Sequence, residues 1–297
     1  MKKLFLFFSI VLMSISFSAA QEWFTNFDIA KRLALIQDKM LFVVWEESLF
    51  YRYPIIYYTD KGDIIVVDLS KDDSFDSIIW EHFIPVLLPE SEYDKLIVSA
   101  KGREAKYLTK LNDDSIKIMD ANMNILNVNA PSYYEQNLSA LIKTYSLRTT
   151  FLKQDLVNYS ERKNLTTSFN LGSKYIDFAL FVEKEARAEI IELANIYFDE
   201  ARNYLIKDSL ENKVAYSQRI DLLEIKEILI LNNARKSKRL LKKMKEKGID
   251  KKNNSLFNFL NYTTFMILKD EKNAALFKDK VSNVNIKKAE LILNINN

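Results

Sequence analysis

Cysteine is absent from all 297 residues, and histidine occurs once, as His82. The first absence excludes disulfides, thiol nucleophiles, thiolate zinc sites and iron–sulfur clusters. The second excludes multi-histidine metal sites and leaves little for a Ser-His-Asp arrangement. Glycine is also scarce: Gly62, Gly102, Gly172 and Gly248 stand isolated, so a glycine-rich phosphate cradle is not expected. No cofactor or metal is therefore expected. What is present is 48% hydrophobic and 28% charged, the composition of a folded chain with material for one large domain or two ordinary ones.

The N-terminus carries the most specific pattern. Lys2 and Lys3 precede an apolar stretch from Leu4 to Phe17, and Ser18-Ala19-Ala20 supplies small residues for cleavage. That is the layout of an export signal, with an apolar run shorter than the roughly 20 residues a bilayer-spanning helix needs. Residues 1–20 are expected to be removed near Ala20, giving a periplasmic or secreted protein. The remainder carries 41 basic and 40 acidic residues, which gives no global drive toward nucleic acid or anionic lipid.

The texture changes near Pro131. Before it, strand-like and helical runs alternate. The apolar spacing over 26–39 predicts a helix, and Met40 to Trp45 reads as a strand buried on both faces. Ile55 to Tyr58 and Ile64 to Leu69 flank a Thr-Asp-Lys-Gly-Asp turn and predict a hairpin. Ser74 to Phe83 reads as helix, Ile84 to Leu88 as strand, and Ser91 to Lys110 as helix with an irregular centre near Gly102. Ser115 to Met119 and Asn124 to Val128 are strand candidates around a tight Asp-Ala-Asn-Met connection.

After Pro131 the spacing is helical. Helices are expected at Leu138 to Leu156, Leu171 to Val182, 186–205, Ile220 to Leu231, Ala234 to Met244, Leu256 to Leu268 and Ala274 to Val281. Breaks are expected at Asn164, Asp208, Asn232-Asn233, Gly248 and Asp270. Successive helix pairs with alanine near the start of the second helix suggest a helical hairpin array, its spacing looser than the tetratricopeptide period of roughly 34 residues. Strands are expected only within roughly 40–130. The division is thus 1–20 export signal, 21–130 α/β domain and 131–297 helical, tetratricopeptide-like domain.

Three segments resemble the thioredoxin-like domains of exported bacterial proteins, over about a third of the chain. Glu22-Trp23-Phe24-Thr25-Asn26-Phe27, with Asp28 and Ala30, is similar to the entry to the first helix. Lys39 to Trp45 is similar to the central strand that precedes the redox motif. Ile116 to Leu126 resembles the late hairpin. The resemblance implies a thioredoxin-like fold, but the Cys-x-x-Cys position is occupied by Glu46, Glu47, Ser48 and Leu49. The family's cis-proline position falls near Asp113-Asp114-Ser115, without a proline, and Met123 replaces the turn glycine. Thiol–disulfide exchange needs an attacking and a resolving sulfur. The fold is expected without the activity.

Four features bear on function. Glu46 and Glu47, at the end of a strand where α/β sheets bind ligands, are candidates for carboxylate chemistry or for a solvated loop start. Tyr51 and Arg52, amid Phe50, Tyr53, Tyr57 and Tyr58, suit either partner binding or sheet packing. His82, between Glu81 and Phe83, reads as a structural histidine. The run 235–252 holds ten Lys or Arg against two acids, with Lys238, Lys242 and Lys245 on a polar face. It suits an acidic partner or a membrane surface, or simply a solvated helix face. The expected function is an exported, non-catalytic binding or scaffold protein of the cell envelope with a protein partner and no nucleic acid. The alternative is a carboxylate-dependent enzyme using acids near Glu46.

Overall fold

The computed structural model describes residues 22–207 and 213–296; the expected export segment and the break at Asp208 lie outside them. Helix α1 (Phe27–Gln37) begins where the Asn26 side chain accepts from the Ile29 amide and ends at Asp38, whose φ of 55° turns the chain out of the helix. Strand β1 (Leu41–Trp45) follows and buries Leu41, Phe42, Val43 and Val44 in succession. A run of four buried residues requires cover on both faces of the sheet. On one side β1 pairs in parallel with β4 (Ile84–Leu88), and on the other antiparallel with β5 (Lys117–Met119). Phe24 extends the sheet by a parallel bridge to Val86, and Ile125 by an antiparallel bridge to Met119. β1 is therefore interior, as its composition predicts.

Between β1 and β4 the chain makes a hairpin, β2 (Pro54–Tyr58) and β3 (Ile64–Asp68), followed by helix α2 (Asp76–His82). After β4 come α3 (Glu90–Ser99) and α4 (Ala105–Asn112), separated at Gly102, whose φ of 89° interrupts the helix where the sequence suggests. Two expectations are corrected here. Asn124 to Val128 does not form a strand beyond the single bridge at Ile125. Instead the Asn127 side chain accepts from the Ile118 amide at 2.8 Å and donates to the Ile116 carbonyl at 2.9 Å. The asparagine thus takes two of the edge groups, while the Leu126 amide donates to the Ile118 carbonyl at 2.7 Å. Strands also do not stop at residue 130: β6 (Gln136–Asn137) pairs in parallel with β2. Its two polar residues carry no strand pattern, and the pairing is tertiary, on the edge of the hairpin opposite β3.

The remaining described chain is helical: α5 (Leu138–Tyr145), α6 (Lys153–Glu161), α7 (Leu165–Phe178), α8 (Lys184–Lys207), α9 (Lys213–Ile230), α10 (Ala234–Lys247), α11 (Asn254–Ile267), α12 (Glu271–Lys278) and α13 (Asn283–Asn294). The expected single helix from Leu138 to Leu156 is broken. The Ser146 hydroxyl meets His82 Nδ1 at 3.0 Å and the Thr149 amide donates to the Asp38 carbonyl at 3.0 Å. These contacts pull the segment onto the α/β part against its local periodicity. The helix expected at Leu171 starts six residues earlier, because Asn164 and Thr167 form a reciprocal capping box. Helix α13 escapes the sequence reading altogether.

Helices pack as successive neighbours, α7 on α8, α9 on α10, α10 on α11 and α11 on α12. In the first pair a Cβ at Gly172 would lie 2.8 Å from two ring atoms of Phe198 and 3.1 Å from the Ala194 carbonyl oxygen. Glycine inside a helix costs roughly 0.5–1 kcal/mol relative to alanine, and here the close approach requires it.

One continuous apolar core runs through both parts. At their junction Asp120 is fully buried, and burial raises its carboxyl above the ordinary range. Its oxygens accept from the Asn122 and Asn124 amides at 2.9 and 3.0 Å, from the Tyr175 hydroxyl at 3.1 Å and from the Tyr197 hydroxyl. Tyr159 stacks edge-on against Tyr197 and donates to Glu200, which also meets Arg103 at 3.4 Å. Arg103 in turn donates to Asn124 at 3.3 Å. The late turn of the α/β part is thus bonded to α7 and α8, and α6 packs onto α8 through Tyr159.

Candidate binding cleft

Beyond Trp45 the chain leaves β1 into a short 3-10 turn, Glu47–Phe50, which brings the 46–52 segment over the carboxyl end of the sheet. There it borders a cleft of about 710 Å³. Trp45 forms part of the wall, with the Tyr93 ring edge-on at 4.0 Å and the Tyr93 hydroxyl donating to Asn112. Tyr51 and Arg52 stand exposed on one rim; Tyr133 and Tyr134, 68% and 69% exposed, stand on another. Glu47, Glu90 and Asp114 supply carboxylates.

Of the residues expected at the degenerate redox position, Glu47 and Ser48 line the cleft, whereas Glu46 and Leu49 do not. The two glutamates therefore do not converge. Ser48 is buried and donates to Asp114 at 2.9 Å, while the Tyr53 hydroxyl donates to the Asp114 carbonyl at 2.7 Å. These bonds tie the 46–53 segment to the 113–115 loop. The aromatic run divides accordingly: Tyr53 and Tyr57 pack inward, the latter against Phe75 at 5.3 Å, while Phe50 and Tyr51 face solvent.

Behind the cleft wall lies a polar cluster that sequence reasoning missed. Asp113 accepts from the Ser115 amide at 2.9 Å, from the Ser115 hydroxyl at 2.5 Å and from the Ser132 hydroxyl. Lys117 Nζ lies 3.3 Å and Lys110 Nζ 3.9 Å from its carboxylate. Burial raises the Asp113 carboxyl, but the two hydroxyls and two ammonium groups outweigh that and hold it below the ordinary range. Lys117 is 1% exposed, and its Nζ lies 5.4 Å from the centre of the Trp45 ring. Burial pushes its ammonium down to about 8, with Asp113 opposing the shift. A signal was available: Lys117 is the one charged residue in the apolar run Ile116 to Met119. Tyr93 and the 132–134 segment gave no signal, because long-range folding alone brings them there.

The other candidates lie elsewhere. His82 is half-buried against Ser146 and Phe83, a structural contact. In α10, Ser237 and Leu241 form the buried stripe, and Leu240 and Met244 are half-buried beside it. Lys238 reaches Asp270 at 4.0 Å and lies over Phe265 at 5.2 Å. It therefore flanks the packed seam, while Arg235, Arg239 and Lys242 hold the opposite face. Lys242 and Lys245 are exposed, and no described ion pair engages them. Among the described residues, no three His, Asp or Glu side chains come together to hold a metal ion, and no helix is long and apolar enough to cross a membrane. Comparison of the chain with protein-family models, curated proteins and solved structures returned no match.

Proposed function

We propose that this chain is an exported, non-catalytic binding protein of the cell envelope. Its α/β part is a thioredoxin-like domain without redox chemistry, and its tetratricopeptide-like helical part offers a basic docking face. The cleft at the carboxyl end of β1 carries this reading. It lies where the resemblance puts the redox motif, at the end of an interior strand paired with one parallel and one antiparallel neighbour. With no thiol available and the adjacent glutamates divergent, what remains is a surface of tyrosines, Arg52 and carboxylates. Tyrosine and arginine offer apolar area with hydrogen-bonding ends, the mixture favoured at protein interfaces. A polypeptide segment is the occupant that uses both. The Lys2, Lys3 and Leu4 to Phe17 pattern supports export.

The test places a photo-crosslinking residue at Tyr51 or at Tyr133 in the mature protein and exposes it to envelope extract. Both positions are expected to yield the same discrete adduct, and Arg52→Glu is expected to reduce it by about tenfold or more, the loss typical of a central arginine contact. Unrelated adducts from the two positions, or no response to Arg52→Glu, would overturn the assignment of the cleft.

A further inference from the structure

The edge strand β3 is built as a pairing edge. In its sheet β3 lies outermost, bonded to β2 alone, and its other side has no partner among the described residues. The Thr59 amide donates to the Asp63 carbonyl and the Leu69 amide to the Tyr53 carbonyl. Odd-numbered residues therefore bond inward across the antiparallel pair, and the N–H and C=O groups of Ile64 and Val66 point away from β2. The Asp68 carbonyl, next along that edge, is already taken by the Lys71 and Asp72 amides. The open stretch is therefore short and defined. Its side chains are apolar on both faces, with Ile64 61%, Ile65 41% and Val66 53% exposed. Folded proteins usually guard such an edge with lysine, proline or a bulge, and Ile64 to Val67 has none of these.

We propose that β3 accepts an extended strand from a partner polypeptide, apolar at alternate positions and flanked by lysine or arginine. Charge selects that occupant. The hairpin and its exit carry Asp60, Asp63, Asp68, Asp72 and Asp73 against Lys61 and Lys71, so both ends of the edge are acidic. A second copy paired antiparallel about Ile65 would set the Asp60–Asp63 end of one chain beside the Asp68–Asp73 end of the other. That meeting is repulsive, whereas cationic flanks are attracted at both ends. Backbone hydrogen bonds would hold the added strand, and Ile64, Ile65 and Val66 would supply side-chain contacts. β3 is not part of the cleft lining, so this surface stands independently of the proposed function.

The probe is a short synthetic peptide of alternating valine and threonine with lysines at both ends, titrated into the mature protein. Binding is expected to slow hydrogen exchange at the Ile64 and Val66 amides and to weaken with salt. Val66→Pro removes only an outward N–H, which edge strands tolerate, and is expected to weaken binding by about tenfold or more with melting unchanged. An Ile64→Lys, Val66→Lys double variant, which keeps every bond to β2, repeats the measurement without proline and is expected to lose binding similarly. Equal binding of a glutamate-ended peptide, no binding at all, or unchanged binding in both variants would overturn the proposal. So would a dimer of the protein alone that Val66→Pro dissolves, since the edge would then belong to a second copy.

Discussion

Glu227 is a buried acid whose environment gives folding a calculable pH dependence. It lies on α9, 7% exposed; one carboxyl oxygen accepts from Asn195 at 3.2 Å, and the other has no partner. Burial pushes it from its ordinary 4.5 up to about 8, against the Asn195 bond. The unfolded chain therefore releases this proton from about pH 4.5 upward while the folded chain keeps it until about pH 8. Over that window the folded state binds more protons, so stability falls as pH rises. One pKa unit corresponds to about 1.4 kcal/mol, so the loss is about 3 kcal/mol at pH 7 and approaches 5 kcal/mol above pH 8. Glu227→Gln keeps the shape and the acceptor for Asn195 and removes the ionisation. Urea unfolding of both proteins at pH 4.5 and pH 8 measures the effect from the midpoints. Near-equal stability is expected at pH 4.5, with the variant ahead by on the order of 4 kcal/mol at pH 8. Parallel pH profiles would refute the reasoning, because they would mean that Glu227 ionises alike in both states.

Gly172→Ala puts a Cβ into the Phe198 ring at the α7–α8 crossing and should destabilise by about 1–3 kcal/mol despite alanine's better helix propensity, read as a lower melting temperature. Lys117 has the opposite sign from Glu227: its folded value near 8 lies below the ordinary 10.5, so the unfolded chain holds the proton longer and stability should rise between pH 8 and 10.5. Lys117→Met should abolish that rise in denaturation curves taken across the window. If α10 docks an acidic partner, Arg239→Glu with Lys242→Glu should abolish recovery of that partner while moving stability by under about 0.5 kcal/mol. Unchanged recovery would leave the run as a solvated face.

The elements legible in the sequence are those whose burial imposes a period. Met40 to Trp45 is apolar throughout because both sheet faces are covered, and α8 carries its stripe through Ile190, Ala194, Tyr197 and Ala201, all buried. Elements decided by tertiary contact were not legible. β6 has a polar pair with no pattern, and the break after Tyr145 follows from contacts with Asp38 and His82, more than 60 residues earlier in the chain. Asn127 shows the limit most clearly. Its neighbours read as a strand, and beyond the one bridge at Ile125 its side chain takes over the pairing. In the cleft, the 46–52 side was legible because it follows a recognisable strand. Tyr93 and Tyr133 reach it from two other segments and share no local signature.

The polar cluster at Asp113 also bears on what kind of site the cleft can be. A lysine near pKa 8 is the profile of a nucleophile or base, but only where substrate can reach it. Lys117 is sealed, its Nζ lying between Trp45 and the Asp113 carboxylate, and Lys110 is committed to the Ser115 hydroxyl at 2.6 Å and the Ala130 carbonyl at 3.3 Å. Asp113 in turn takes its hydrogen bonds from the protein itself. The groups with shifted acidities are consumed in holding the 113–115 loop against the end of β1, where Ser48 and Tyr53 complete the fastening. The exposed groups at the rim, Tyr51, Arg52, Tyr133 and Tyr134, are free of that structure. The cleft therefore combines a wall fastened by its own hydrogen bonds with an exposed rim, which is the surface the proposed partner would meet.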